Sequence, residues 1–288
     1  MPRAQDPPAR RRGRRPLAAG LIALLVVGVA AWVVPALGPD PNRPDLDRGL
    51  TALGAPLAPS GDAPLGTDDL GRDVFARVCY AGRASLLTAA TGTALAVLLG
   101  LLAGMSAGLV GGALETALAR AIELVLAFPI LLLALFAATA LRAASLDGGG
   151  GSLAVVLGLL GWPATARVVH ARTRALAAAD YVVAARGLGA SVPRLVLRHL
   201  LPNLAALVTA IAVITLSQFL LAESALSFVG LGPAPPEPSW GQMVWEGRIY
   251  YRSAPWLVLA PALAIVVTVA AVHLVAVGLQ GTLERVER

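Results

Sequence analysis

Lysine is absent from this sequence, and all 23 basic residues are arginine. That excludes a self-contained phosphate-loop nucleotide hydrolase, whose G-x-x-x-x-G-K-[ST] loop places a lysine on the phosphates. One cysteine, Cys79, rules out an intrachain disulfide and a thiolate metal cage. Only three histidines are present, and His170, His199 and His273 stand far apart. Charged residues make up 14% of the chain, against about 25% in a soluble domain. No acid, base and nucleophile gather together, so a membrane-embedded enzyme has no residues to run on. The chain is expected to be no enzyme and to carry neither metal nor cofactor of its own. The missing lysine, beside abundant alanine, glycine and leucine, reads as coding bias rather than chemistry.

What is plentiful is apolar sequence. Of 288 residues 57% are hydrophobic, and the mean hydropathy is +0.74; the chain reads as an integral membrane protein. A net charge of +6 would suit nucleic acid. The arginines, however, gather at the ends of apolar runs, the pattern of membrane topology, so no nucleic-acid partner is expected. Residues 1–16 form a basic tail, expected to be disordered and held near anionic membrane lipid. Residues 17–37 are long enough to span a bilayer. A cleaved signal peptide shares the basic start and apolar core. The run is longer than a signal core, and Val33-Val34-Pro35 is a poor cleavage site, so it reads as a retained first transmembrane helix.

Residues 38–85 form a polar extracytoplasmic segment rich in Pro, Gly and Asp. Residues 86–288 are expected to hold a five-helix core with spans at 86–109, 122–141, 153–169, 204–229 and 256–279. Pro129 predicts a kink in the third span of the chain, and Gly161-Trp162-Pro163 an interruption in the fourth. A glycine-rich turn falls at 147–152. In the second span Gly92, Gly100, Gly104 and Gly108 make a smooth stripe for close helix approach. The loop 230–255, with its prolines and aromatics, suits a compact structure at the membrane surface. The fold class is all-α with six transmembrane helices.

Six spans put both termini on one side. That side collects 15 arginines, from the tail, the turn after the second span, the central loop and the C-terminus; the other collects eight. The positive-inside rule places the first set, and the loop 173–203, in the cytoplasm.

Individual polar residues carry less. Asp68, Asp69 and Asp73 lack the pattern of a calcium loop; Asp73 can cap a helix and pair with Arg77 at i, i+4. His170 and His199 read as interfacial. His273, inside the last span, is a functional candidate by position, with an interhelical hydrogen bond from a neutral imidazole as the simpler reading. Glu123 and Glu223 lie near span ends and read as interfacial, and Gln218 could line a pathway or bridge helices.

The loop 173–203 is too polar to cross a bilayer and too apolar to be a free linker. Its core, Ala175 to Asn203, reads as helix, break, helix. Tyr181, Ala184, Ala185 and Leu188 recur at i, i+3, i+4, i+7. Gly187 and Gly189 end the first helix. Ser191 can cap the second, with Pro193 in its first turn, and Pro202 suits the start of the next long helix.

These residues resemble a known family. The run D-Y-V-V-A-A-R-G-L-G-A-S followed by R-H-L-L-P-N resembles the cytoplasmic EAA loop of ABC import permeases. Ala184, Ala185, Gly189, Leu201 and Pro202 match it in spacing; Val183 stands where that family has Glu, and Asp180 is the nearest acid. P-L-G-T-D-D-L-G-R-D from Pro64 to Asp73 resembles the start of dipeptide, oligopeptide and nickel permeases. So does A-E-S-A-L-S-F-V-G-L-G followed by S-W-G-Q-M and S-A-P-W, a pattern of the C-type subunit. Val277 and Gly281 depart from it where acids are common.

The resemblance implies a type I ABC importer permease fold and a transport subunit for peptides or a related solute: a dipeptide, an oligopeptide, a nickel chelate, glutathione or a sugar. It implies a second homologous permease, two cytoplasmic ATP-binding subunits that hold the ATP, and an extracytoplasmic solute-binding protein. ATPase coupling would fall to Asp180, Tyr181, Ala184, Ala185, Gly187, Leu188, Gly189, Ala190 and Ser191. Contact with the binding protein would fall to Trp240, Glu246 and Arg248. The alternative is a stand-alone channel or secondary transporter, which would require charges or broken helices paired near the midplane. Gly161-Trp162-Pro163 is its one hint.

Overall fold

The computed structural model describes residues 14–38, 40–144, 150–233 and 236–283. The basic tail up to residue 13, the first half of the glycine-rich turn and the C-terminal Arg285 and Arg288 lie outside the described residues. The described chain is helical, without a strand: α1 (Arg14–Leu37), α2 (Val74–Val110), α3 (Gly112–Leu126), α4 (Ile130–Ala143), α5 (Gly150–Ala177), α6 (Asp180–Gly187), α7 (Val192–Leu195), α8 (Leu201–Leu226), α9 (Trp240–Gly247) and α10 (Trp256–Leu283). Five helices are long and apolar enough to cross a membrane, and six spans result if the bent pair α3–α4 counts as one.

Several helices differ from their sequence expectations. α2 starts at Val74 rather than at Leu86, and its 37 residues reach about 55 Å. A hydrocarbon core is about 30 Å thick, so part of α2 projects beyond it. The third span is broken rather than kinked: α3 and α4 meet at 86°. Pro129 has extended backbone there, and a residue preceding proline is pushed out of the helical region. By contrast, α5 runs unbroken through Pro163. α7 is not a separate helix either. It continues through a π turn, Val196–Leu200, into α8, so Val192–Leu231 is one long element. Pro202 lies in the first turn of α8, and the π turn before it relaxes the ladder where proline lacks a donor.

The chain forms two compact units. In the one made of residues up to Ser85 and from Pro235 onward, the last span packs on the first. Gly20 faces the Ala271 carbonyl and Val275, and Gly278 faces Leu17, so closely that a Cβ at either would clash. Pro35 inside α1 has no N–H, which deprives the Ala31 carbonyl of its helical donor. Arg83 replaces it: Nε donates to Ala31 O at 2.8 Å, and Nη2 to Trp32 O at 2.9 Å.

In the other unit, Leu86 to Ala234, the glycine stripe of α2 meets α5. A Cβ at Gly100 would lie 2.5 Å from Thr165 Cβ, and one at Gly104 2.6 Å from Ala166 O. α5 stays uninterrupted across its proline along this close contact. Beneath the stripe Met105, Val169, Leu200 and Leu204 form a buried cluster joining α2, α5 and α8. Glu115 of α3 pairs with Arg174 of α5 and lies 3.2 Å from His170 Nε2. Arg142, ending α4, donates to the carbonyls of Gly230 and Gly232. Glu223 is fully buried in α8, not interfacial as the sequence suggested; it accepts from Ser227 Oγ at 2.8 Å. His273 is exposed on α10.

Candidate functional site: an elbow and a polar segment

The elbow is built by capping more than by side chains. α6 begins after Ala179, which has extended backbone, and ends at Gly187 with Leu188 as C-cap. Gly189 follows at φ +83°. Its N–H donates to Arg186 O at 3.0 Å, and the Ala190 N–H donates to Ala185 O at 3.1 Å. This is a Schellman closure, whose left-handed residue favours glycine. Of the two glycines read as terminators, Gly189 does this work; Gly187 is the last helical residue. Ser191 stands at the N-cap of α7 as expected, but its side chain makes no capping bond.

Side chains sort α6 into two faces. Val182 alone is buried, which the outward periodicity of its neighbours hides in the sequence. Asp180, Tyr181, Val183 and Ala184 are exposed, and Leu188 is 90% exposed. Ala185 and Ala190 are half-buried, and Gly187, Gly189 and Ser191 are exposed. The Tyr181 ring leans on His199 of the π turn, centroids 6.0 Å apart. Below, Leu195 and Leu200 are buried. The elbow thus turns an apolar face outward from a base fixed in the α2–α5–α8 core.

The polar segment is knotted by its own motif. Thr67 Oγ1 donates to Gly49 O at 2.5 Å and accepts from the Leu57 N–H at 2.8 Å. Trp256 Nε1 donates to Thr67 O at 3.1 Å. Asp68 accepts from the N–H groups of Leu70 and Arg72, both at 2.9 Å, and from Arg72 Nε at 2.7 Å. Gly71, at φ +73°, abuts the Asp45 carbonyl so tightly that any Cβ would collide with it. Asp73 accepts from the Phe75 N–H at 2.9 Å and so caps α2. Burial raises its carboxyl above the usual range, partly offset by the backbone N–H groups of Phe75 and Ala76.

Arg77 does not pair with Asp73. It is 3% exposed and reaches Asp68 Oδ2 at 3.3 Å and Glu246 Oε2 at 3.5 Å. A cavity of about 660 Å³ opens beside this knot, between residues 40–49 and 57–73. Among the described residues no cluster of His, Cys, Asp or Glu is arranged to hold a metal.

Of the three residues expected to touch a binding protein, Trp240 has no surface to offer. It is 2% exposed, lies over Gly82 and donates from Nε1 to Val78 O at 2.8 Å. Those partners are about 160 positions away and leave no local sign in the sequence. Glu246 is occupied by Arg77 and by Gln242, whose Nε2 donates to it at 3.0 Å. Arg248 is exposed, its guanidinium 3.9 Å from the centre of the Trp245 ring.

An all-helical chain whose long apolar helices flank an exposed helical elbow is the build of a membrane transport component, and the comparisons agree. Residues 96–287 match the family described as the inner membrane component of binding-protein-dependent transport systems. A Brucella suis biovar 1 protein named as a permease of a peptide transport system is 35% identical over 275 residues, covering 94% of this chain and 88% of that protein. A Brucella abortus biovar 1 protein of similar name is 36% identical over 281 residues, 96% and 90% of the two chains. The glutathione transport system permease protein GsiD of Pectobacterium atrosepticum is 32% identical over 269 residues, 93% and 86%. The chain belongs to the binding-protein-dependent transport inner-membrane component family. It is a multi-pass permease subunit of an ATP-driven importer, a transport component and not an enzyme.

Proposed function

We propose that this subunit carries peptides, or a small solute with peptide character such as glutathione, into the cytoplasm, with α6 as its docking helix for a separate ATP-binding subunit. A second homologous permease, two ATP-binding subunits that hold the ATP, and an extracytoplasmic solute-binding protein complete the assembly. Both termini and the elbow face the cytoplasm, and the segment 40–73 with the rim around Glu246 faces the binding protein. The observation that carries the reading is the apolar face of α6, which is fixed at its base yet left exposed among the described residues. Small Ala184 and Ala185 let a partner approach the backbone, and Tyr181 and Leu188 flank them as anchors of the kind that dominate interface energy. α8 continues the elbow without interruption, so a push on α6 is delivered to a full membrane span.

Ala185→Arg tests this. The variant should insert and assemble with the second permease, while ATP hydrolysis no longer responds to loaded binding protein. If the face were merely solvated, the substitution would leave stimulation and ATPase retention unchanged. Orientation is tested separately by cysteine labelling in a Cys79→Ser background. Ser60→Cys and Ser253→Cys should react from outside and Ser191→Cys only from inside. Ser239 is no use as a probe, because it is buried where it caps α9.

A further inference from the structure

Trp245 near the end of α9 is followed by Arg248 and Ile249 of the 3₁₀ turn Arg248–Tyr250 and by Arg252 in the turn just beyond it. All four are exposed, as is Tyr251, and Ile249 is 69% exposed. The opposite face of α9 is buried through Trp240, Met243 and Gly247. The helix is thus amphipathic in an unusual sense: its inward side is packed in protein, and its outward side alternates apolar and cationic groups.

Its depth follows from its anchors. Trp240 lies over Gly82 and its N–H meets Ser85 Oγ at 3.2 Å, beside the membrane stretch of α2. Gly247 packs against the Leu257 carbonyl in the first turn of α10. That carbonyl is the one Pro261 leaves without a helical donor. Both anchors set α9 at the ends of apolar spans, so its free face lies at the boundary between hydrocarbon and water.

The two arginines are presented, not loose. Arg248 stacks on Trp245 and spends one N–H on Trp245 O at 2.6 Å. Arg252 lies 5.7 Å from the Tyr251 ring centre and donates from Nε to its hydroxyl at 2.9 Å. A guanidinium has five N–H groups in a planar fork that suits phosphate, so each keeps edge donors free. The nearest carboxylate on the helix, Glu246, is engaged by Arg77 and Gln242 and does not neutralise them.

We infer that this face is a site for the phosphate headgroup of an anionic phospholipid. Arg248 and Arg252 grip the phosphate, while Trp245 and Ile249 enter the adjoining acyl boundary. Exposed isoleucine beside aromatic rings at a span end fits lipid better than a water-facing protein partner. Arg248 is thereby assigned to the membrane and not to the binding protein, which meets the polar segment instead.

The test uses the assembled transporter in nanodiscs, with a polarity-sensitive fluorophore on Ile249→Cys in the Cys79→Ser background. A quencher carried on phosphatidylglycerol should quench the fluorophore more strongly than the same quencher on phosphatidylcholine. Arg248→Gln and Arg252→Gln should each weaken the apparent preference roughly fivefold. Equal quenching by the two lipids overturns the headgroup site. So does a fluorophore that no lipid quenches but that loaded binding protein shields, an outcome which makes that protein the occupant and leaves the transport reading standing.

Discussion

The polar segment and the elbow look alike in sequence, since both are glycine-punctuated stretches between apolar runs, yet they spend their side chains in opposite ways. In the polar segment Thr67, Asp68, Arg72 and Arg77 are satisfied by one another and by nearby backbone. The elbow makes its turn with backbone hydrogen bonds and keeps Tyr181, Val183 and Leu188 outward. One region holds itself together; the other leaves apolar side chains exposed, as the proposed docking requires. Exposure of apolar groups costs little where water meets a few side chains, but it becomes a docking energy of several kcal/mol once a partner covers them.

The contrast is broken most directly at Asp68. Asp68→Ala removes the acceptor for Arg72 and takes from Arg77, an almost fully buried cation, the nearer of its two carboxylates, leaving only Glu246 at 3.5 Å. Removing one partner of a buried pair costs about 3–5 kcal/mol. Thermal unfolding in detergent should fall sharply, and protease should cut within residues 40–73. A wild-type melting profile would mean that the knot is ornamental and the contrast unfounded.

Gly189→Val probes the elbow's backbone. A β-branched residue at φ +83° is strained by about 1–3 kcal/mol. The turn should loosen locally, seen as faster amide exchange in residues 180–192. Stimulated ATP hydrolysis should drop while the melting temperature of the whole subunit moves little. A large drop in overall stability with coupling intact would place the elbow among the self-supporting regions.

How much of this could be read in advance follows the range of the forces involved. The elbow was legible because its turn is local: Gly189 closes α6 within a turn of where it stands, and Pro193 sits in the first turn of α7. The stripe of Gly100 and Gly104 was legible because helical spacing alone puts both on one face. What was not legible depends on distant partners. Pro129 and Pro163 give similar local signals. One breaks its span and the other does not, because only α5 is clamped along the glycines of α2. The i, i+4 rule paired Arg77 with Asp73, but the guanidinium finds a carboxylate on α9 about 170 positions later. Trp240, expected to touch the binding protein, is internal instead, because its partners Val78 and Gly82 are distant in the chain.

Leu188→Ala sharpens the comparison from the mild end. The side chain is almost fully exposed, so stability should change by no more than about 0.5 kcal/mol. The apparent affinity of the purified ATP-binding subunit for the permease should nevertheless fall, if α6 is the docking helix proposed above. A stability loss equal to that of a buried leucine would mean that the residue supports the fold.

Asp73→Asn carries the smallest effect and tests the self-satisfied region through its pH response. Burial raises the Asp73 carboxyl, with the backbone N–H groups of Phe75 and Ala76 opposing it. A raised carboxyl pKa means the folded chain binds its proton more readily than the unfolded chain does. The ionised form therefore carries a small penalty at neutral pH, and that penalty is relieved as pH falls through the folded value. Asparagine keeps a side-chain oxygen for the cap and is an equally good N-cap residue, but it has no charge to bury. The variant should be equal to or slightly more stable than the native subunit at neutral pH, and the gap should close in the acidic range where Asp73 takes up its proton. If the native protein is instead the more stable one at neutral pH, and its advantage disappears on acidification, the charge-assisted cap outweighs burial. The segment would then gain from its ionised carboxylate at the start of α2, where the helix dipole also favours negative charge.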